Sequence, residues 1–155
     1  MKRVGATDQA VIFLLGSGER DALVHLLQAY PVTPPAHHTV SKALKEPQVV
    51  EYQRLLDEAL AEQRAANKRR LEAWLAAPER FQSAEIGYHL TLERADCEWL
   101  LQVLNDIRVG NWLRLGSPES GELAPLKVDP RLLPAWLAME MTGYLQMVIL
   151  VALES

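Results

Sequence analysis

One cysteine, Cys97, stands in 155 residues. A lone thiol forms no intrachain disulfide and no zinc-binding cysteine pair, so the chain depends on an apolar core. Charge of one sign is also missing. Sixteen Lys and Arg face 20 Asp and Glu, a net charge of −4, and such a chain lacks the basic surface that general nucleic-acid binding needs. Met1–Ala10 carries no signal-peptide pattern, which together with the single thiol predicts a cytoplasmic protein. There is no Ser-His-Asp signature, no nucleophile elbow and no histidine, cysteine or carboxylate set at metal-ligand spacing. The balance is against an enzyme, and no cofactor or metal is expected.

Apolar residues make up 49% of the chain and charged residues 23%, the proportions of a globular protein and not of a disordered one. At this length one domain over 1–155 is expected, able to bury roughly 70% of its unfolded surface. The clearest periodic stretch is Ala95–Leu115. Leu100, Leu104, Ile107 and Asn111 recur at helical spacing, and Cys97, Leu101 and Leu115 fill the same face. Trp99, Val103 and Leu113 widen it, so this helix should touch neighbours on more than one side. Thr91 is the expected N-cap, Glu93 the first-turn anion and Gly116 the terminator. Gly110 costs roughly 1 kcal/mol against alanine inside a helix, a cost that close approach of another helix would offset.

The block Trp99-Leu100, Leu104-Asn105-Asp106-Ile107-Arg108, Leu113 and Leu115-Gly116 resembles a small, mainly actinobacterial protein family of unknown function. The resemblance extends to Leu14–Leu27 and Trp136–Leu150 and covers about half the chain. It implies a strand, helices, a central "leucine-asparagine-aspartate" helix and a closing apolar helix. It implies no established activity, although some relatives are labelled as regulators and some are encoded beside a protease adaptor. The poorest match is after Tyr30 and at Asn111-Trp112.

In chain order, Ala10–Leu15 (AVIFLL) reads as a strand that needs a partner for its backbone groups. Leu126–Val128 is the expected partner, with Lys2–Val4 as the alternative. Gly16-Ser17-Gly18 leads into a helix over Glu19–Ala29. The dinucleotide fingerprint needs a third glycine where Asp21 stands, and no Gly-Lys-Ser follows, so a turn with Ser17 as N-cap is the reading. The stretch 31–47 is a Pro-rich loop containing His37 and His38, read as exposed loop histidines. Pro47 suits a helix start, and 48–76 is one long helix or two with a break near Asn67. Glu79–Leu90 is read as a connector. His89 and Glu93 stand four apart, but two ligands are too few for a closed zinc site. Cys97 falls on an inner face as a small buried hydrophobe. Ala135–Leu153 is apolar almost all round. Glu140 and Gln146, with Thr142 and Gly143, argue against a membrane span and for a central core helix, or a core helix that also forms a homodimer face.

The expected fold is therefore mainly α, a compact helical bundle with a short N-terminal strand or hairpin. Two surfaces are candidates for function. Asn105, Asp106 and Arg108 form the best polar group on the central helix, with capping and pairing as the structural alternative. Arg64, Lys68, Arg69 and Arg70 form the only basic patch, which nucleic acid would use through phosphate contacts. Glu62 and Glu72 flank the patch, and Lys68–Glu72 is a favourable i,i+4 pair, the pattern of a solvated helical face. The leading expectation is a non-enzymatic interaction or accessory module with a protein partner or a second copy. A transcription-associated DNA binder using Arg64–Arg70 comes next, then a ligand binder or enzyme with an interhelical pocket.

Overall fold

The computed structural model describes residues 1–38, 46–119 and 129–155. Among the described residues the protein is an α+β fold with four α-helices and a four-stranded antiparallel sheet, 66% of those residues being helical and 15% in strands. This corrects the expected mainly α bundle with a short strand or hairpin.

Strands β1 (Lys2–Ala6) and β2 (Ala10–Leu15) form a hairpin. Thr7 closes it, its hydroxyl oxygen accepting from the N–H groups of Gln9 (3.3 Å) and Ala10 (3.0 Å). Lys2 pairs with Leu14 and Arg3 with Phe13, so the segment Lys2–Val4 is a partner of β2. The other candidate, Leu126–Val128, lies outside the described residues. The far side of β2 pairs with β4 (Tyr88–Glu93), which carries the short edge strand β3 (Phe81–Ser83), in the order β1-β2-β4-β3. Val11 faces Leu92 and Phe13 faces Leu90 in register, and all four are buried. Strand side chains alternate between faces with period two, so this register gives the sheet one continuous apolar face.

Two strands thus replace the expected connector. Tyr88, Leu90 and Leu92 alternate with His89, Thr91 and Glu93, and Thr91 is an interior strand residue rather than a helix cap. A threonine just before a helical run satisfies both the N-cap and the strand preference; cross-strand pairing with Ile12 decides for the strand. The β3–β4 turn requires Gly87. Its φ is +82°, and a Cβ there would stand 2.1 Å from the Leu15 carbonyl oxygen.

Four α-helices accompany this sheet among the described residues. Helix α1 (Ser17–Gln28) leaves β2 through Gly16, and it buries Leu23, Leu26 and Leu27. Gly16, not Ser17, occupies the cap position, and the Glu19 carboxylate accepts from its N–H at 2.9 Å. Helix α2 (Pro47–Ala76) is one uninterrupted helix of 30 residues, about 45 Å long at 1.5 Å per residue. Only Leu71 and Trp74, near its C-terminal end, are fully buried. Helix α3 (Arg94–Arg114) buries Cys97, Trp99, Leu100, Val103, Leu104, Ile107, Gly110 and Asn111. Helix α4 (Leu133–Glu154) follows a 3₁₀ turn at Pro130–Leu132. It runs against α3 in the opposite direction, since Arg108 lies by Gly143 while Leu101 receives a hydrogen bond from Gln146.

Gly110 lets a loop, not a helix, approach α3. A Cβ there would lie 2.5 Å from the Val32 carbonyl carbon and 2.6 Å from the Thr33 nitrogen. That contact brings the segment after α1 onto the central helix.

Candidate functional site

The expected polar group on α3 does not converge. The Asp106 carboxylate turns to the segment after α1, accepting from the N–H groups of Val32 (2.7 Å) and Thr33 (3.2 Å). The Asp106 carbonyl accepts from the Thr33 hydroxyl at 2.8 Å. Arg64 closes the clamp, donating to the Thr33 carbonyl at 2.6 Å with its Nη2 3.9 Å from the Asp106 carboxylate. Asn105 is exposed to solvent, and Arg108 lies on the α4 side of the helix. These three residues share a stretch of sequence but not a site.

The basic patch is divided as well. Arg64 belongs to the Asp106 clamp. Arg70 donates to Asp96 at 2.6 Å, and its guanidinium lies 4.2 Å over the Trp99 ring. Lys68 and Arg69 stay exposed on α2. Two cations are thereby committed to protein partners, and a phosphate-binding cluster of four is not presented.

Other polar residues that the sequence did not single out hold the same region. Arg80 is only 6% exposed and stacks 4.3 Å over the Trp74 ring. It donates to the Thr91 carbonyl at 2.7 Å and stands 4.0 Å from Asp96. Asn67, in mid-helix in α2, donates to the Tyr30 hydroxyl and accepts from the Trp99 indole N–H, both at 3.1 Å. The one available sequence signal for Arg80 was its place between two aromatics, Trp74 and Phe81, which here meet edge to face.

Among the described residues, no group of three His, Cys, Asp or Glu side chains is placed to hold a metal ion. His89 and Glu93 sit on β4 without a third ligand. His37 lies in a 3₁₀ turn, Pro35–His38, and is exposed. Cys97 is buried, its Sγ 3.3 Å from the Glu93 carbonyl. Burial pushes its thiol above the ordinary range and nearby Asp96 adds to the effect, although Arg94 opposes it. That is the reverse of an activated nucleophile.

The surface feature that remains is α4. Its inner face buries Thr142, Leu145, Ile149 and Ala152 against the core. The Thr142 hydroxyl donates to the Ala138 carbonyl at 2.7 Å, which satisfies it within the helix. Leu133, Leu137, Glu140, Tyr144, Met147, Val151 and Glu154 recur at alternating spacings of four and three, and all seven are exposed. This is the a/d spacing of a helix–helix seam. Leu137 is 51% exposed, Met147 55% and Val151 57%. Helix α4 is thus packed on its inner face and open on its outer one, so the expectation of a central core helix is not met, while that of a core helix with a second apolar face is not tested by the isolated chain.

A groove of about 650 Å³ runs beside this stripe, lined by Arg108, Met139, Glu140, Gly143, Met147 and Leu150 among others. The Arg108 side chain lies alongside Gly143, its Nε 3.6 Å from where a Cβ would stand. Arg108, Glu140 and Glu154 make no hydrogen bond or ion pair among the described residues. A second cleft of about 500 Å³ lies between α1, α3 and the start of α4, with His25, Leu26, Ile107, Arg114 and Met141 in its walls.

Comparison with known protein families, curated proteins and solved structures finds no match. The actinobacterial resemblance therefore contributes nothing to the assignment of function.

Proposed function

We propose that the chain is a non-enzymatic protein–protein interaction module of the cytoplasm and that its docking surface is the outward face of α4. The observation that carries this reading is the exposed seam from Leu133 to Glu154. Contiguous apolar patches of several hundred Å² are uncommon on free soluble proteins and mark interaction sites. A membrane span is the competing use of such a helix, since Pro130–Glu154 is long and apolar enough by length and composition. Two features favour a protein partner. The inner face of α4 is already packed on α3, and α4 itself carries Glu140 and Glu154 on its outer face but no Lys or Arg, with Arg108 of α3 beside it. Helices that lie on membranes place Lys and Arg along their polar flank.

The test is a photoactivatable amino acid at Leu150, exposed on this face, irradiated in living cells. Discrete higher-mass protein adducts, lost when Met147 and Val151 are changed to glutamate, are expected. Adducts to lipid alone, or none, would reject the reading.

A second reading is favoured by the cleft between α1, α3 and α4. An apolar pocket with His25 and Arg114 in its walls fits a small apolar anion. Calorimetric titration with a medium-chain fatty acid tests it, and absence of heat in both the wild type and Arg114→Ala rejects it. DNA binding ranks third, because Arg64 and Arg70 are held by protein partners.

A further inference from the structure

We infer that the occupant of the α4 face is a second copy of this chain, packed antiparallel across α4, with Arg108 of each copy paired to Glu140 of the other. This deepens the interaction reading and rests on it. The first argument is self-complementarity. An isologous two-fold contact needs one patch that fits itself, and a single seam at alternating four- and three-residue spacing does so. The second is area. Leu133, Leu137, Tyr144, Met147, Leu150 and Val151 are each 40–57% exposed. Together they offer roughly 600 Å² per copy, against the ~800 Å² per partner of a standard interface, before any rim is counted.

The third argument is charge. Arg108 and Glu140 line the same groove, and neither is paired among the described residues. A parallel, in-register pair would set Glu140 against Glu140 and Glu154 against Glu154, which is repulsive. An antiparallel pair sends the two Glu154 side chains to opposite ends of the seam and takes the two Glu140 side chains out of direct register. It also brings the same flank of the two helices together, so that each Arg108, level with Gly143, faces the partner's Glu140 region. A lipid surface is disfavoured by the two carboxylates on the face.

The experiment uses the full-length chain and two single variants, Arg108→Glu and Glu140→Arg, with folding checked by circular dichroism. Both positions are exposed. Native mass is read by light scattering, alone and in a 1:1 mixture. The wild type is expected to be a dimer. Each variant alone sets like charges together twice per dimer, so its self-association should weaken by about tenfold or more. Mixing the two variants restores opposite charges in one contact, where the glutamate of Arg108→Glu meets the arginine of Glu140→Arg. The other contact keeps the native Arg108 and Glu140 side chains, so a heterodimer of wild-type affinity should form. Variants that stay fully dimeric, or a mixture no tighter than either alone, overturn the proposal. A monomeric wild type whose position 150 still crosslinks to another protein also overturns it, yet leaves the interaction reading standing. Failure of both measurements ends both.

Discussion

Asp106→Ala removes the one carboxylate that holds the segment after α1 onto the central helix. Two backbone N–H groups, those of Val32 and Thr33, lose their acceptor, and Arg64 loses its nearest carboxylate. The Asp106 and Arg64 side chains are only 16% and 17% exposed, so water replaces these partners incompletely. An unsatisfied donor costs about 1–3 kcal/mol; two of them partly re-solvated give a loss of about 3 kcal/mol. For a chain of this size each kcal/mol moves Tm by roughly 2–4 °C, so a fall of roughly 6–12 °C is expected. Asp106→Asn keeps an oxygen acceptor and loses the charge, and should cost about half as much. Thermal unfolding followed by circular dichroism, at matched pH and salt, gives both numbers. An Asp106→Ala protein that melts within a degree of wild type would refute the clamp and return Asp106 to the list of functional surface residues.

Three further outcomes follow from the same packing. Gly110→Ala gains about 1 kcal/mol of helix propensity but drives a methyl into the Val32–Thr33 backbone at 2.5 Å; net destabilisation of about 1–2 kcal/mol is expected in a denaturant titration, and an unchanged midpoint would contradict the close approach. Cys97 should react with a maleimide only on unfolding, since its thiol is buried and held above the ordinary range; rapid labelling of the native protein would contradict it. Glu19 is held below the ordinary glutamate range, first by the Met1 amine and also by the Gly16 N–H. A lowered folded-state pKa contributes stability that is present above the unfolded value and lost as pH falls through the folded one. Glu19→Gln should therefore be less stable than wild type at pH 6, with the deficit shrinking as pH falls below the ordinary glutamate range, and a deficit independent of pH would refute the pairing.

The elements that the sequence displayed are those with long apolar periods. The inward positions of α3, from Leu100 to Asn111, span several turns, and the near-continuous run in α4 has no other use than a helix. The sheet was harder because its evidence is short. β3 has three residues, and β4 offers only Tyr88, Leu90 and Leu92 on the inward side, next to a threonine that also suits a helix cap. The clamp at Asp106 was invisible for another reason: its partners are 73 and 74 residues away. Local chemistry named the right residue and could not say whether loop or ligand met it. The basic run on α2 misled in the same way, since helical geometry turns Arg64 inward to Thr33 and lays Arg70 over Trp99 while Lys68 and Arg69 face water. Only the seam on α4 could have been separated from the core by counting: fours and threes from Leu133 to Glu154 include two glutamates that the chain's own core would not accept without partners.

The most direct test of the docking surface is whether α4 is covered in the native assembly. In a Cys97→Ala background, single cysteines at Met147 and at Arg69 report on the seam and on an open helical face. Both positions are exposed in the isolated chain, so an uncovered seam makes them label at similar rates. The account predicts that the cysteine at 147 reacts about tenfold more slowly than that at 69 at cellular protein concentration, with the difference abolished by Val151→Glu. Equal rates in the unmodified background would contradict it.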